Sequence, residues 1–505
     1  MKKTWYALYD SFKTPIAMLL IGYLLMGLNY ITVESPLINT TLQMLAYLGY
    51  AIKMLFPLIV IIAFLNKNFE DTIVVNVGIF CYFALNAITM FYSKGTLSSF
   101  FYTNLLNLNL DTDAGLKPLN MGLFASIAVI LIISLTYRSS RKRYNYSMLQ
   151  FITNDVWFFL LALISTVLVG ALIAWQYPTV ARFVVRCMRF VSVNNTNPAS
   201  IFFYGLYDKV MSITGLHRIV EQGFWYGEFG GSWVDKAGTS FFGDANIWNA
   251  QIAADALNKG VGRYLTSNYV INLFVIPSIG LGLLLSIRDR VELKRNIGAV
   301  IMVIICSLLT GNALPMEFVL LFIAPGLLVI HVIASALISM ALAIMNVQLG
   351  FSVVGNLNYL SAGNIVDFIR YLRATSTHNA AMQILLVGAI CFVIYQLLVF
   401  VYYRFLSQDF LESEEGKQEM KEFVRALGGI DNIRMITSSP LSIIVVLDDN
   451  ERFDPQAVLK TKAYLIKERY FGYHIDYGPG SSALCRSIRK EMKEFAEVME
   501  YHKEV

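Results

Sequence analysis

Long, nearly uncharged apolar runs recur between residues 15 and 405, and a chain built this way has few means of satisfying its own backbone. In hydrocarbon every N–H and C=O must be paired within the protein, which leaves helices or closed barrels. A membrane helix needs about twenty mostly apolar residues and a barrel strand only about ten. The stretches 15–31, 41–65, 71–92, 121–135, 156–176, 269–287, 298–309 and 383–405 therefore read as helical spans, and 318–347 as one span plus part of a re-entrant element. The first run is too long for a signal peptide and lacks a small-residue cleavage site.

Basic residues punctuate these runs. Lys2, Lys3 and Lys13 precede or open the first, Arg138, Arg141, Lys142 and Arg143 follow the fourth, and Arg288, Arg290, Lys294 and Arg295 separate two more. Positive residues beside spans resist translocation, so these clusters mark cytoplasmic loops. The parity that results is about ten spans with both termini cytoplasmic.

Only 15% of residues are charged and 56% are hydrophobic, against roughly 25% charged in soluble proteins. The sparse charge ends near residue 406. The expected organisation is a membrane body over 1–405, a linker over 406–416 and a small α+β domain over 417–505. In that last part a helix over 414–427 stops at Gly428-Gly429, strands cover 432–437 and 441–447, a helix covers 455–467, a strand 470–477, and a closing helix 481–501. No basic face with interleaved aromatics appears there, so a nucleic-acid partner is not expected. Cys81, Cys187, Cys306, Cys391 and Cys485 form no CxxC pair and are odd in number, so neither disulfides nor a metal site is expected, and no cofactor is implied.

Two segments are too irregular for lipid-facing helices. The region 177–268 places Arg182, Arg186 and Arg189 on one helix face, then becomes rich in Gly and aromatics around Phe202-Phe203-Tyr204-Gly205, Gly215-Leu216-His217-Arg218-Ile219 and Trp225-Tyr226 to Trp233. In the run Thr310-Gly311-Asn312-Ala313-Leu314-Pro315-Met316-Glu317, Gly and Pro interrupt an apolar stretch and a carboxylate is inserted. Irregular backbone at membrane depth must line protein or a cavity, and transporters bind substrate at such broken elements.

These pieces resemble the membrane subunit, enzyme IIC, of the glucose superfamily of phosphotransferase permeases. Tyr204-Gly205 and Gly215-Leu216-His217 are similar to that family's YG element and GLHHI. Phe274-Val275-Ile276-Pro277 resembles FGLP, and Thr310-Gly311 with Pro315-Met316-Glu317-Phe318 resembles TGITEPIEF. Ala324-Pro325 to His331 resembles APxLYxIH, and Phe351-Ser352 with Gly355 and Tyr359 resembles FSxGxxDY. In the tail, Ala426-Leu427-Gly428-Gly429 with Asn432-Ile433 resembles the ALGGxxNI entrance to enzyme IIB, and Gly478-Pro479-Gly480 its glycine turn. The resemblance implies a bacterial cytoplasmic-membrane homodimer, joined through its N-terminal scaffold, that binds lipid and a sugar or sugar-like solute. A cytoplasmic partner for the tail is a further expectation.

The chain departs from the pattern in two places. The family's phosphoryl-carrying cysteine falls on Ser439, and the arginines that follow it fall on Leu441-Ser442-Ile443-Ile444. A hydroxyl without a base is a poor substitute for a thiolate, and Cys485 sits by register at an apolar position of the last helix. The carboxylate of TEP falls on Leu314 and its Thr on Ala313. The candidate substrate residues are then His217, Arg218, Gly311, Asn312 and Glu317. His217 either donates to a sugar hydroxyl or satisfies a backbone carbonyl. Arg218 either meets an anionic ligand or pairs with Glu221 at i+3. Glu317 either contacts substrate or braces the broken helix. Trp225, Tyr226 and Trp233 either stack on a sugar or anchor at the interface. The expected activity is solute transport without phosphoryl transfer from the chain's own tail. The alternatives are a permease fed by a IIB donor in trans, and a non-transporting sensor or assembly protein.

Overall fold

The computed structural model describes residues 2–28, 33–69, 71–93, 97–103, 117–140, 154–258, 260–287, 290–352, 361–412, 414–438, 442–469, 472–478 and 480–504. Helix α1 (Lys2–Gly27) lies against α2 (Pro36–Met54), with Gly22 facing Gly49 so that the two backbones touch. At Leu55 the chain bends by 60° into α3 (Phe56–Asn68). Pro57 in the first turn of α3 explains the bend, because its ring removes an N–H and blocks the carbonyl four residues back. Helices α4 (Thr72–Ser93) and α5 (Leu123–Ser140) pack with α3 and the first half of α6 (Asn154–Val193) around Val77, Leu85, Val129, Phe158 and Ala162.

The 40 residues of α6 make a rod of about 60 Å at 1.5 Å per residue, twice a bilayer's hydrocarbon depth. The sequence separates a span over 156–176 from an arginine-bearing helix; the structure joins them. Pro178 lies inside α6, so its missing N–H is absorbed without ending the helix. Arg182, Arg186 and Arg189 lie exposed on the far half.

Next come α7 (Pro198–Ile213) and the short α8 (His217–Val220), which widens into a π-turn over Glu221–Trp225. A hairpin of β1 (Ser232–Val234) and β2 (Ser240–Phe242) leads to α9 (Asp244–Ala253). Helix α10 (Ser267–Val270) passes through a second π-turn, Ile271–Val275, into α11 (Ile276–Ser286). Helix α12 (Arg290–Thr310) breaks at Gly311 and resumes as α13 (Leu314–Ile323), and α14 (Pro325–Ile344) follows after Ala324. After α15 (Ile365–Arg373), α16 (His378–Glu412) closes the body. A central core of Leu19, Ile279, Phe318, Leu327, Ile338 and Val399 joins α1, α11, α13, α14 and α16.

Six of these helical stretches are long and apolar enough to cross a membrane: α4, α5, α6, residues 267–286, α14 and the 378–403 part of α16. The bent pair α2 and α3 makes a seventh if taken as one crossing, and shorter apolar helices cover 11–27, 296–310 and 314–323.

The tail begins at α17 (Glu414–Ala426). Its antiparallel sheet has the order β3 (Ile433–Ser438), β4 (Ser442–Leu447), β6 (Gly472–Asp476), β5 (Leu465–Arg469), with α18 (Pro455–Lys460) before β5 and α19 (Ser481–Glu504) closing. Phe423, Leu427, Ile443, Val445, Ile475, Leu484 and Ile488 fill its core. The helix expected over 455–467 is a correction: it ends at Lys460, because Thr461 turns to extended backbone and 465–469 pairs in register with β6. Arg452 donates to Asp431 at 2.8 Å and to the Gly428 carbonyl at 2.6 Å, fastening the glycine turn after α17. The same guanidinium holds the exposed Asp431 carboxyl below its ordinary pKa.

Candidate functional site

The irregular segments converge, and small residues let them do so. Asn197 caps α7 by accepting from the Ala199 amide at 3.0 Å, with Pro198 at the first helical position. Gly205 then presses α7 onto α14: a Cβ there would stand 2.8 Å from Ser339 Oγ and 2.9 Å from the Ala336 Cα. One turn further, the same face presents Asp208 and Lys209, both 6% exposed. Neither side chain is affordable at such a depth without a partner.

Both have one. Lys209 Nζ donates to Glu317 Oε1 at 2.8 Å, and Glu317 is fully buried. Glu317 lies in the first turn of α13, where the free amides favour a negative charge. His331 of α14 brings Nε2 to 3.5 Å from the same oxygen, and its Nδ1 is 3.1 Å from the Tyr395 hydroxyl of α16. One buried chain of groups thus links α7, α13, α14 and α16. The second oxygen, Glu317 Oε2, finds no hydrogen-bond partner among the described residues.

Asp208 faces the other way. Its Oδ1 is 2.9 Å from His217 Nε2, and His217 Nδ1 is 2.9 Å from Glu221 Oε1. Ionised carboxylates only accept, so both ring nitrogens must donate and His217 is an imidazolium held between two acids. Its ring meets Trp225 edge-on at 5.4 Å. Glu221 also lies within the field of Lys53 and Arg218. Lys53 Nζ stands 5.9 Å over the Tyr23 ring, and Tyr23 is a neighbour of Asn312. Arg218 Nη1 is buried without a hydrogen-bond partner among the described residues.

The break between α12 and α13 is built on Gly311 in the left-handed region, φ +68°. Its carbonyl accepts from Asn272 Nδ2 at 2.8 Å, beside the second π-turn, and a Cβ would lie 2.6 Å from the Ser361 carbonyl. Asn312 Oδ1 accepts from the Leu314 amide at 3.0 Å, a local turn that starts α13. Asn364 caps α15 through the Asp367 amide at 2.8 Å, placing 361–364 against this break.

The structure therefore gathers His217, Arg218, Asn312 and Glu317 with residues the sequence reading passed over: Tyr23, Lys53, Asp208 and Lys209. Asp208 and Lys209 carry a visible signal, adjacent charges in an otherwise apolar helix. Asp244 is another omission, its Oδ1 and Oδ2 accepting the Gly262 and Tyr264 amides at 2.6 and 2.9 Å. Trp225 is 1% exposed and donates to the Tyr204 hydroxyl at 3.0 Å, which in turn donates to the Tyr264 carbonyl at 3.0 Å. Trp233 packs on Phe241 across the hairpin. In the tail, Cys485 is 1% exposed within the core. Ser439, which the sequence resemblance puts at the position of a phosphoryl-carrying cysteine, lies outside the described residues, as do Gly355 and Tyr359.

A model of the family "phosphotransferase system, EIIC" matches residues 9–336, a stretch that contains every charged residue of this cluster. The chain belongs to the EIIC family. Among solved structures, this EIIC is similar to the transporter ChbC, the IIC component from the N,N'-diacetylchitobiose-specific phosphotransferase system. The two are 14% identical with a TM-score of 0.30, over 81% of this chain and 96% of that one.

Proposed function

We propose that this EIIC is a sugar permease of the glucose-superfamily type, carrying a sugar or sugar-like solute across the cytoplasmic membrane. The observation that carries the reading is the cluster of ionisable groups at the helix breaks of a membrane body, within the stretch that matches the EIIC family. Charged groups at membrane depth are costly and serve function by default, and broken helices are where transporters seat their solutes. His217, Arg218, Gly311, Asn312 and Glu317 form the binding site in this reading. His217 and Glu317 shape it through their partners, while Arg218 and Asn312 face the solute.

In this reading the bent pair and the shorter apolar helices join the six long ones to make about ten passages, with both termini cytoplasmic. The homodimer would form through the N-terminal scaffold, where α2 exposes Leu37, Ile38, Met44, Tyr47 and Leu48. The tail, over 417–505, is a IIB-like domain without a working phosphoryl carrier, for its one thiol is buried. It retains a surface for a cytoplasmic partner. That buried thiol also favours a second reading, in which a separate IIB protein phosphorylates the incoming sugar.

Uptake of radiolabelled sugars into vesicles separates these readings, measured with and without the general phosphotransferase proteins and phosphoenolpyruvate. Free sugar inside, unaffected by phosphoenolpyruvate, is the expected result. Phosphorylated product would assign the donor to a protein in trans. No uptake of any sugar would overturn the permease reading.

A further inference from the structure

The charges around the helix breaks do not cancel. Three carboxylates, Asp208, Glu221 and Glu317, meet four cationic groups: Lys53, Lys209, Arg218 and the His217 imidazolium. The carboxylates are also engaged, Glu317 through Oε1 alone. Asp208 and Glu221 each hold one nitrogen of His217, and Glu317 holds Lys209. Arg218 and Lys53 are left to share what remains of Glu221. Arg218 keeps a buried nitrogen with no acceptor among the described residues.

The opposite deficit appears across the site. A sugar hydroxyl both donates and accepts, and its proton is held most strongly by a carboxylate. The break at 311–314 supplies no side-chain acceptor beyond Asn312, whose oxygen already receives the Leu314 amide, and Ala313 and Leu314 are apolar. Among the described residues the site is thus rich in donors, offers Glu317 Oε2 as its free carboxylate acceptor, and carries one positive charge in excess. Uncompensated charge is costly on a side chain that is partly withdrawn from solvent, and an anion seated beside Arg218 would reduce that cost while giving its buried nitrogen an acceptor.

We propose that the solute of this EIIC is a sugar bearing an anionic group, a carboxylate or a phosphate, and that Arg218, assisted by Lys53, is its counter-charge. The proposal rests on the permease reading and narrows it. Tyr23 and Asn312, neighbours in the same site, are placed to meet the ring hydroxyls. An arginine suits the anion better than a lysine, because its planar fork binds two oxygens at once.

The test is equilibrium binding to the full-length chain in lipid nanodiscs. The probes are D-glucose, D-glucuronate, D-glucose 6-phosphate and the cationic D-glucosamine. At least one anionic probe is expected to bind about tenfold or more tighter than D-glucose, a difference of about 1.4 kcal/mol, with D-glucosamine the weakest. Glucuronate alone gaining would assign a carboxylate, and glucose 6-phosphate alone a phosphate. Arg218→Gln should bring the anionic and neutral probes to within about twofold, and Arg218→Lys should retain part of the preference. Because the wild-type comparison stands alone, a misfolded variant does not remove the test. D-glucose binding as tightly as both anions would overturn the anionic assignment and leave the permease standing. An absence of binding by all four, together with no uptake from a wider sugar panel, would overturn both.

Discussion

At the scale of single residues, long-range pairing is what spacing alone cannot show. Glu317 is visible in the sequence as a carboxylate inside an apolar run, but its ion-pair partner Lys209 lies 108 residues away. Breaking a buried pair on one side costs about 3–5 kcal/mol, whereas replacing both members is often nearly neutral. Lys209→Met should therefore destabilise the detergent-solubilised chain by roughly that amount, and Lys209→Met with Glu317→Gln by clearly less. Thermal or denaturant unfolding of the two variants checks this; equal losses would mean that the pair contributes no coupling. His217 was legible as a polar group in an irregular segment. Its two acids were not, since one precedes it by nine residues and the other follows by four on a different kind of turn.

At the scale of elements, the breaks were easier to read than the joins. Gly311 and Pro315 mark the break between α12 and α13 in the sequence, because glycine tolerates a positive φ and proline fits a helix's first turn better than its interior. The single rod of α6 was not legible, since a proline and three arginines mimic a boundary that tertiary packing overrides. Strand β5 was hidden for a related reason: only the ladder to β6, remote from local propensity, makes residues 465–469 extended. Gly311→Ala tests how strictly the break is built. The new Cβ would strain the left-handed backbone and meet the carbonyls of Ser361 and Ala362 at 2.6 and 2.7 Å. A loss of about 1–3 kcal/mol is expected, together with solute uptake falling at least about tenfold, because the strained break would shift the residue 311 carbonyl away from Asn272. Unchanged uptake with unchanged stability would show that the segment adapts.

At the scale of the whole molecule, the division into apolar body and charged tail is written in composition, so the sequence marks it near residue 406. What composition cannot encode is whether the tail retains chemistry. Burial of Cys485 beside Ile475 and Leu484 gives it a packing role. Cys485→Ala should lower tail stability by about 1 kcal/mol and leave vesicle uptake at the wild-type rate, with or without phosphoenolpyruvate; uptake that collapses while the chain stays folded would restore the thiol to the reaction. Within the body, the helices are brought together at their smallest side chains: Gly22 against Gly49, Gly170 against Ile88, Gly205 against Ala336 and Ser339, Gly282 against Val399. Lipid offers the apolar residues of these helices much the same surroundings as a neighbouring helix does, so close backbone approach has to supply the attraction. Over evolutionary time this chain can exchange one lipid-facing Leu, Ile, Val or Phe for another almost freely, and its slowest-changing sites inside the helices will be the positions with the least side chain to lose.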